Sequence, residues 1–140
     1  MEKVKHTFNT KEELQEAVDM WCEDETREEA ENIYGNISYW DVFRITNMAC
    51  LFKDKKTFND DITNWDVSNV INMSNMFDGA ESFNQNINGW NISSLKNACF
   101  MFNCAISFNQ HLDNWDLSNI KYKSYLFNGA VNMKGNQFNF

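Results

Sequence analysis

The chain has 140 residues, 43% of them hydrophobic and 15% aromatic, which is enough to bury one real core and sets it apart from disordered sequences. Twelve Lys and Arg against twenty Asp and Glu leave a net charge of −8, the wrong sign for gripping a phosphate backbone, so nucleic acid is a poor partner. Residues 1–6 lead into a polar stretch without an apolar signal segment, and nowhere is there a run of about 18 apolar residues. No membrane span is expected, and an intracellular, cytoplasmic setting is favoured. Cys22, Cys50, Cys99 and Cys104 show no CxxC spacing and read as free, packed thiols in a reducing compartment.

Residues 10–30 read as an N-terminal capping helix within a single domain spanning 1–140. Thr10 with Glu13 predicts a capping box, and Leu14, Ala17, Val18, Trp21 and Cys22 line one face. The opposite face, with Glu12, Glu16, Glu23 and Asp24, is solvated and supplies much of the negative charge.

From residue 31 to residue 140 a repeat organises the chain. Trp40, Trp65, Trp90 and Trp115 stand 25 residues apart without insertion or deletion. The same frame holds Asp41, Asp66, Asn91 and Asp116; Val42, Val67, Ile92 and Leu117; and Phe52, Phe77, Phe102 and Phe127. Phe58, Phe83, Phe108 and Met133 follow, with Asn59, Asn84 and Asn109 directly after the three Phe residues. Apolar spacings of two and three over 62–70 predict a short strand and a bend. Met73, Met76, Phe77 and Ala80, at i, i+3, i+4 and i+7, predict a two-turn helix. Ser68, Asn69 or Asn72 would cap its start, and Gly79 and Gly129 suit a left-handed end, although Asp54 and Cys104 occupy that slot in other units.

Units this short cannot hide their apolar faces alone and must stack. Strands about 4.8 Å apart against helices needing roughly 8–10 Å would curve the stack, with the strand side concave. The Asn59, Asn84 and Asn109 column is expected to bridge neighbouring coils through side-chain amides. At the far end Phe140 takes the slot of another Trp, and Gln137 stands where Ile is expected.

Trp65-Asp66-Val67-Ser68-Asn69-Val70, Asn72-Met73, Met76-Phe77, Gly79-Ala80, Phe83-Asn84-Gln85 and Ile87 with Trp90 resemble the BspA-like repeat family, also called the DUF285 or mycoplasma lipoprotein-type leucine-rich repeat. The resemblance runs from about residue 30 to the end. The segment from Thr10 through Trp21 is similar to the leader that precedes such arrays. It implies an α/β fold: a short leucine-rich-repeat-like solenoid of 25-residue strand–turn–helix coils with an N-terminal helical cap. It also implies surface or lipid-anchored proteins engaged in adhesion, similar arrays in protists and large DNA viruses, and no common catalytic residue set. This sequence departs in lacking an export signal and a lipobox cysteine, while its Asn, Ile and Lys content fits an AT-rich genome.

The Trp set tempts a carbohydrate reading, since rows of aromatic faces hold sugar rings, but one large apolar residue per coil is also what a stacked core requires. Trp40, Trp65, Trp90, Trp115, Phe52, Phe77, Phe102, Phe127, Phe58, Phe83 and Phe108 are therefore assigned to the core. Asp41, Asp66 and Asp116 are too sparse for a cation column and suit turns better. No metal, cofactor or enzyme signature appears among the motifs, so no catalytic, metal or cofactor residues are assigned. Recognition would then sit where the repeats disagree: Phe43 and Arg44 at one pair of outward slots, Phe100 and Tyr125 at another. The expectation is a non-enzymatic scaffold binding an unidentified protein. The alternatives are a structural subunit that self-associates through its C-terminal coil, a viral protein being one such case, and a carbohydrate-binding module.

Overall fold

The computed structural model describes residues 5–133; Gln137, Phe140 and the rest of the expected last coil lie outside them. Two helices, α1 (Lys11–Cys22) and α2 (Arg27–Tyr34), form the N-terminal cap. The expected single helix over 10–30 is thus broken, with Glu23 leaving the helical region at φ −103° and ψ 129°. Thr10 caps α1 as expected, its side chain accepting from the Glu13 N–H. The reciprocal bond lands one residue early, where the Asn9 N–H donates to Glu13 at 3.4 Å.

Leu14, Ala17, Val18 and Trp21 are buried on one face of α1. That face lies on the first coil: Trp21 Nε1 donates to Asp60 at 3.0 Å, Gln15 to the Leu51 carbonyl at 3.0 Å, and Lys55 pairs with Asp19 at 2.9 Å. Arg27 lies 4.0 Å over the Trp21 ring and 3.3 Å from Asp60, joining α2 to the same corner.

Beyond the cap the chain winds through successive 25-residue coils, 40–64, 65–89, 90–114 and the described part of the next, 115–133. Backbone bonds tie each coil to its neighbour. Met73, Asn75, Phe77 and Gly79 donate to the carbonyls of Asn97, Cys99, Met101 and Asn103, each 24 residues on, at 2.8–2.9 Å. Met48, Cys50, Phe52 and Asp54 do the same one coil earlier, and Ala98, Phe100, Phe102 and Cys104 one coil later.

The strand–turn–helix, leucine-rich-repeat-like solenoid does not form. Among the described residues there is no sheet, only isolated parallel bridges, of which Asn47 to Asn72, Asn72 to Asn97 and Asn97 to Tyr122 join coils. Both helices belong to the cap, and 73–80 is a run of turns. The reason lies in the backbone. Asn75 (φ 58°) and Gly79 (φ 74°) are left-handed, as are Cys50, Asp54, Phe100, Cys104, Tyr125 and Gly129 at the same two slots. A left-handed residue every fourth position stops helix propagation, so Met76, Asp78 and Ala80 instead close three-residue turns onto Met73, Asn75 and Phe77. The intervening amides are left free to bond the next coil. Successive turns put Met73, Met76, Phe77 and Ala80 inside just as a helix would, which is why the spacing is ambiguous. The array holds no α-helix among the described residues, only a three-residue 3-10 turn at Leu117–Asn119, so the expected strand–helix mismatch and its curvature do not arise.

The core is a set of aromatic columns. Phe52, Phe77, Phe102 and Phe127 stack at 5.5 Å between ring centroids, and Phe58, Phe83 and Phe108 at 5.9 Å. Within each coil the two columns meet, as Phe77 and Phe83 do at 4.1 Å. All are buried except Phe127, which is half-buried on the last described coil. Each Trp ring is buried, and Trp65, Trp90 and Trp115 bond back to the preceding turn of the stack, their indole N–H groups donating to the carbonyls of Ile37, Ile62 and Ile87 at 2.9–3.2 Å, while Trp40 donates to the nearby Gly35 carbonyl.

Candidate functional site

The surface follows from how the turns are held. Asp66 accepts from both the backbone N–H and the hydroxyl of Ser68, and Asp116 does the same with Ser118. Asp61 repeats the arrangement with Thr63. These bonds stabilise the carboxylate and hold all three acids below their ordinary range, side-chain bond first and backbone bond second. Asn91 and Asn72 make the same turn through neutral amides to Ser93 and Ser74. The aspartate column thus builds turns, as its spacing suggests.

The asparagine column bridges coils as expected. Asn59 Oδ1 accepts from the Asn84 N–H at 2.8 Å, and Asn84 Oδ1 from the Asn109 N–H at 2.9 Å. Gln85 and Gln110 add their own amides to the same acceptors. Two side-chain ladders thus join the coils 40–64, 65–89 and 90–114, and the backbone ladder runs on to 115–133, so outward side chains from different coils keep fixed neighbours.

One face uses that register to form a groove of about 590 Å³, lined by Arg44, Thr46, Asn69, Ile71, Ser93, Ser94 and Lys96. Arg44 is steadied by a 2.7 Å bond to Asn9, and Asn69 donates to the Phe43 carbonyl at 2.9 Å, linking the first two coils at one wall. Ile71 is 49% exposed, an apolar spot among hydroxyls and amides. Lys96 and Lys121 stand exposed, and neither forms an ion pair among the described residues. The four strips that make this face, 43–47, 68–72, 93–97 and 118–122, contain Arg44, Lys96 and Lys121 and not one Asp or Glu. Ten of the twenty acidic residues lie within 12–31, on the cap, so the face is cationic in a protein of net charge −8.

The candidate residues divide between two places. Arg44 lines the groove; Phe43 is exposed but outside the lining. Phe100 and Tyr125 sit seven positions further along the coil, on the left-handed slots, their rings stacked at 5.0 Å with planes 20° apart. Thr46, Ile71 and Lys96 were missed as candidates. Their signal is the divergent column Thr46, Ile71, Lys96, Lys121, which matters only once the register sets it beside Arg44. The five Trp rings are 1–4% exposed and offer no face to a sugar. Cys22, Cys50, Cys99 and Cys104 are all free thiols, and burial pushes the Cys22 thiol up to about 12, against the smaller pull of Lys55. No helix among the described residues is long and apolar enough to cross a membrane.

No curated protein and no solved structure matches the chain. Residues 22–140 match the family described as "Mycoplasma protein of unknown function, DUF285". The match takes in every coil of the array and the end of α1. The chain belongs to the DUF285 family.

Proposed function

We propose that this protein is a non-catalytic recognition module that captures another protein on the face bearing Arg44, Ile71 and Lys96. One observation carries the reading: side chains that differ from coil to coil converge on one groove, while the repeated ones are spent on core and turns. A rigid frame with variable outward slots suits recognition, because little side-chain or loop ordering is needed at the moment of binding. Arg is a frequent interface anchor, and Ile71 supplies apolar area beside it.

The test is capture of host-lysate proteins by the immobilised protein beside an Arg44→Ala/Lys96→Ala variant, with melting temperatures measured for both. Partners retained by the parent, lost by the variant and accompanied by an unchanged melting temperature are expected. The same set on both proteins, or no partner on either, refutes this face as the binding surface.

A second reading, self-association, draws on the charge distribution. The cap is strongly acidic, whereas Lys121 and Lys123 lie on the last described coil with Asp116 as its acidic residue. Sedimentation showing a concentration-independent monomer at low salt counts against it.

A further inference from the structure

We infer that the groove takes an extended acidic peptide carrying an aliphatic side chain between two carboxylates; this rests on the recognition reading above and names the chemistry of its partner. The charge pattern gives the sign. Arg44, Lys96 and Lys121 are exposed on a face whose four strips hold no carboxylate. Asp41, Asp66 and Asp116 stand two residues before their strips, with oxygens already committed to Thr7 and Phe43, to Ser68 and to Ser118. Arg44 gives one nitrogen to Asn9, leaving the rest of its fork for a carboxylate.

The spacing gives the sequence pattern. Arg44, Ile71 and Lys96 come from three consecutive coils, whose stacked rings are 5.5–5.9 Å apart. An extended chain running along the stack presents same-face side chains about 6.6 Å apart, twice its rise per residue. Acid, any residue, aliphatic, any residue, acid then sets one carboxylate at Arg44, the aliphatic group on Ile71 and the second carboxylate at Lys96. Arg44 stands two positions before the column of Ile71 and Lys96, and its long stem has to reach across that offset as well as the small mismatch per step. A further acid two residues on meets Lys121, which shares the column of Ile71 and Lys96. Thr46, Asn69, Ser93 and Ser94 line the same groove with hydroxyls and an amide that can bond the peptide backbone. The net charge of −8 disfavours a long polyanion, whose many phosphates would meet the acidic cap, and favours a short acidic segment.

The experiment is selection from a random twelve-residue peptide phage library on the intact protein. The winning peptide is then synthesised with a fluorescein label and titrated by polarisation against the parent, Arg44→Ala/Lys96→Ala and Lys96→Glu. Enrichment of peptides with acids flanking an aliphatic residue at alternate positions is expected. So is at least tenfold weaker binding to both variants, and loss of affinity as salt is raised. The Lys96 side chain makes no hydrogen bond or ion pair among the described residues, so Lys96→Glu keeps the test decisive should the double variant lose stability. Neutral or basic winners that the variants also lose would overturn the acidic class and leave the recognition face standing. Acidic winners bound equally by the variants, no enrichment at all, or tighter binding of a labelled 20-nucleotide single strand than of the peptide, would each overturn the inference.

Discussion

Replacing Gly79 by Ala distinguishes a helix from a run of turns by the sign of its effect. In a helix interior the change would stabilise by about 1 kcal/mol, because Ala loses less backbone freedom on folding. Here Gly79 sits at φ 74°, and a Cβ built on it falls 2.3 Å from Asp54 Oδ1. The left-handed conformation costs a non-glycine residue about 1–2 kcal/mol, and the stiffer unfolded chain returns only about 0.4–1 kcal/mol. The Asp54 carboxylate can swing aside, so the clash adds little, and the net expectation is a loss of about 1 kcal/mol, or roughly 4 °C in Tm. Gly89 is the internal control: its added Cβ meets nothing within 4 Å and its φ is not in the left-handed range. Gly89→Ala should therefore stabilise by about 0.5 kcal/mol. Urea unfolding followed through the five buried Trp rings measures both variants. A Gly79→Ala protein more stable than its parent would refute the turn-built coil.

Asn84→Ala removes the acceptor shared by the Asn109 N–H and the Gln110 amide, so a loss of about 1–2 kcal/mol is expected in the same urea assay. Asn84→Gln, of like polarity but wrong length, should recover little of it. Thiol labelling at pH 8 should modify the exposed Cys50 and Cys104 and leave Cys22 protonated and unreactive, read by mass spectrometry. Because folding raises the Cys22 pKa from 9.0 to about 12, its contribution to stability is complete below pH 9 and declines as pH rises through 12; Cys22→Ala should flatten that alkaline decline. The opposite sign holds for Asp61, Asp66 and Asp116, whose lowered values stabilise the fold above the ordinary carboxylate range and cease to as pH falls through them. Changing all three to Asn should shrink the acid limb of a stability–pH profile, with the Asn91 turn showing that the neutral amide fits.

The buried frame was readable in the sequence because burial depends only on which residues recur, and the Trp and Phe columns recur without a gap. The elements carrying them were misread because consecutive three-residue turns and an α-helix bury the same i, i+3, i+4, i+7 positions. The clue was present in Asn72-Met73-Ser74-Asn75, where three of four residues prefer turns over helix interiors. Another lay in Asp54 and Cys104, which share the Gly79 slot and so mark a demanded backbone conformation instead of a helix end. Of the surface, Arg44 was identifiable as a residue on a divergent slot, but Ile71 and Lys96 were not. A divergent column becomes a site only when the coil-to-coil register sets it beside another, and no periodicity supplies that geometry.

That register rests on the aromatic columns as much as on the ladders, and a double-mutant cycle separates the two. Phe77 stacks on Phe102 at 5.5 Å with ring planes 10° apart, each ring buried. Leucine at either position keeps most of the apolar volume and removes the ring face, at a cost of about 1–2 kcal/mol each. If facing rings hold the coils in register, the double variant should lose less than the sum, with a coupling of about 0.5–1.5 kcal/mol. Phe52 and Phe102 face opposite sides of Phe77 and do not touch, so their coupling should be weaker. Strict additivity for Phe77 and Phe102 would mean the rings act only as filler and that the backbone, asparagine and glutamine bonds alone set the spacing. A measured coupling instead makes the Phe column a determinant of the distance from Arg44 to Lys96. Peptide affinity should then fall in Phe77→Leu although no atom of Phe77 lines the groove.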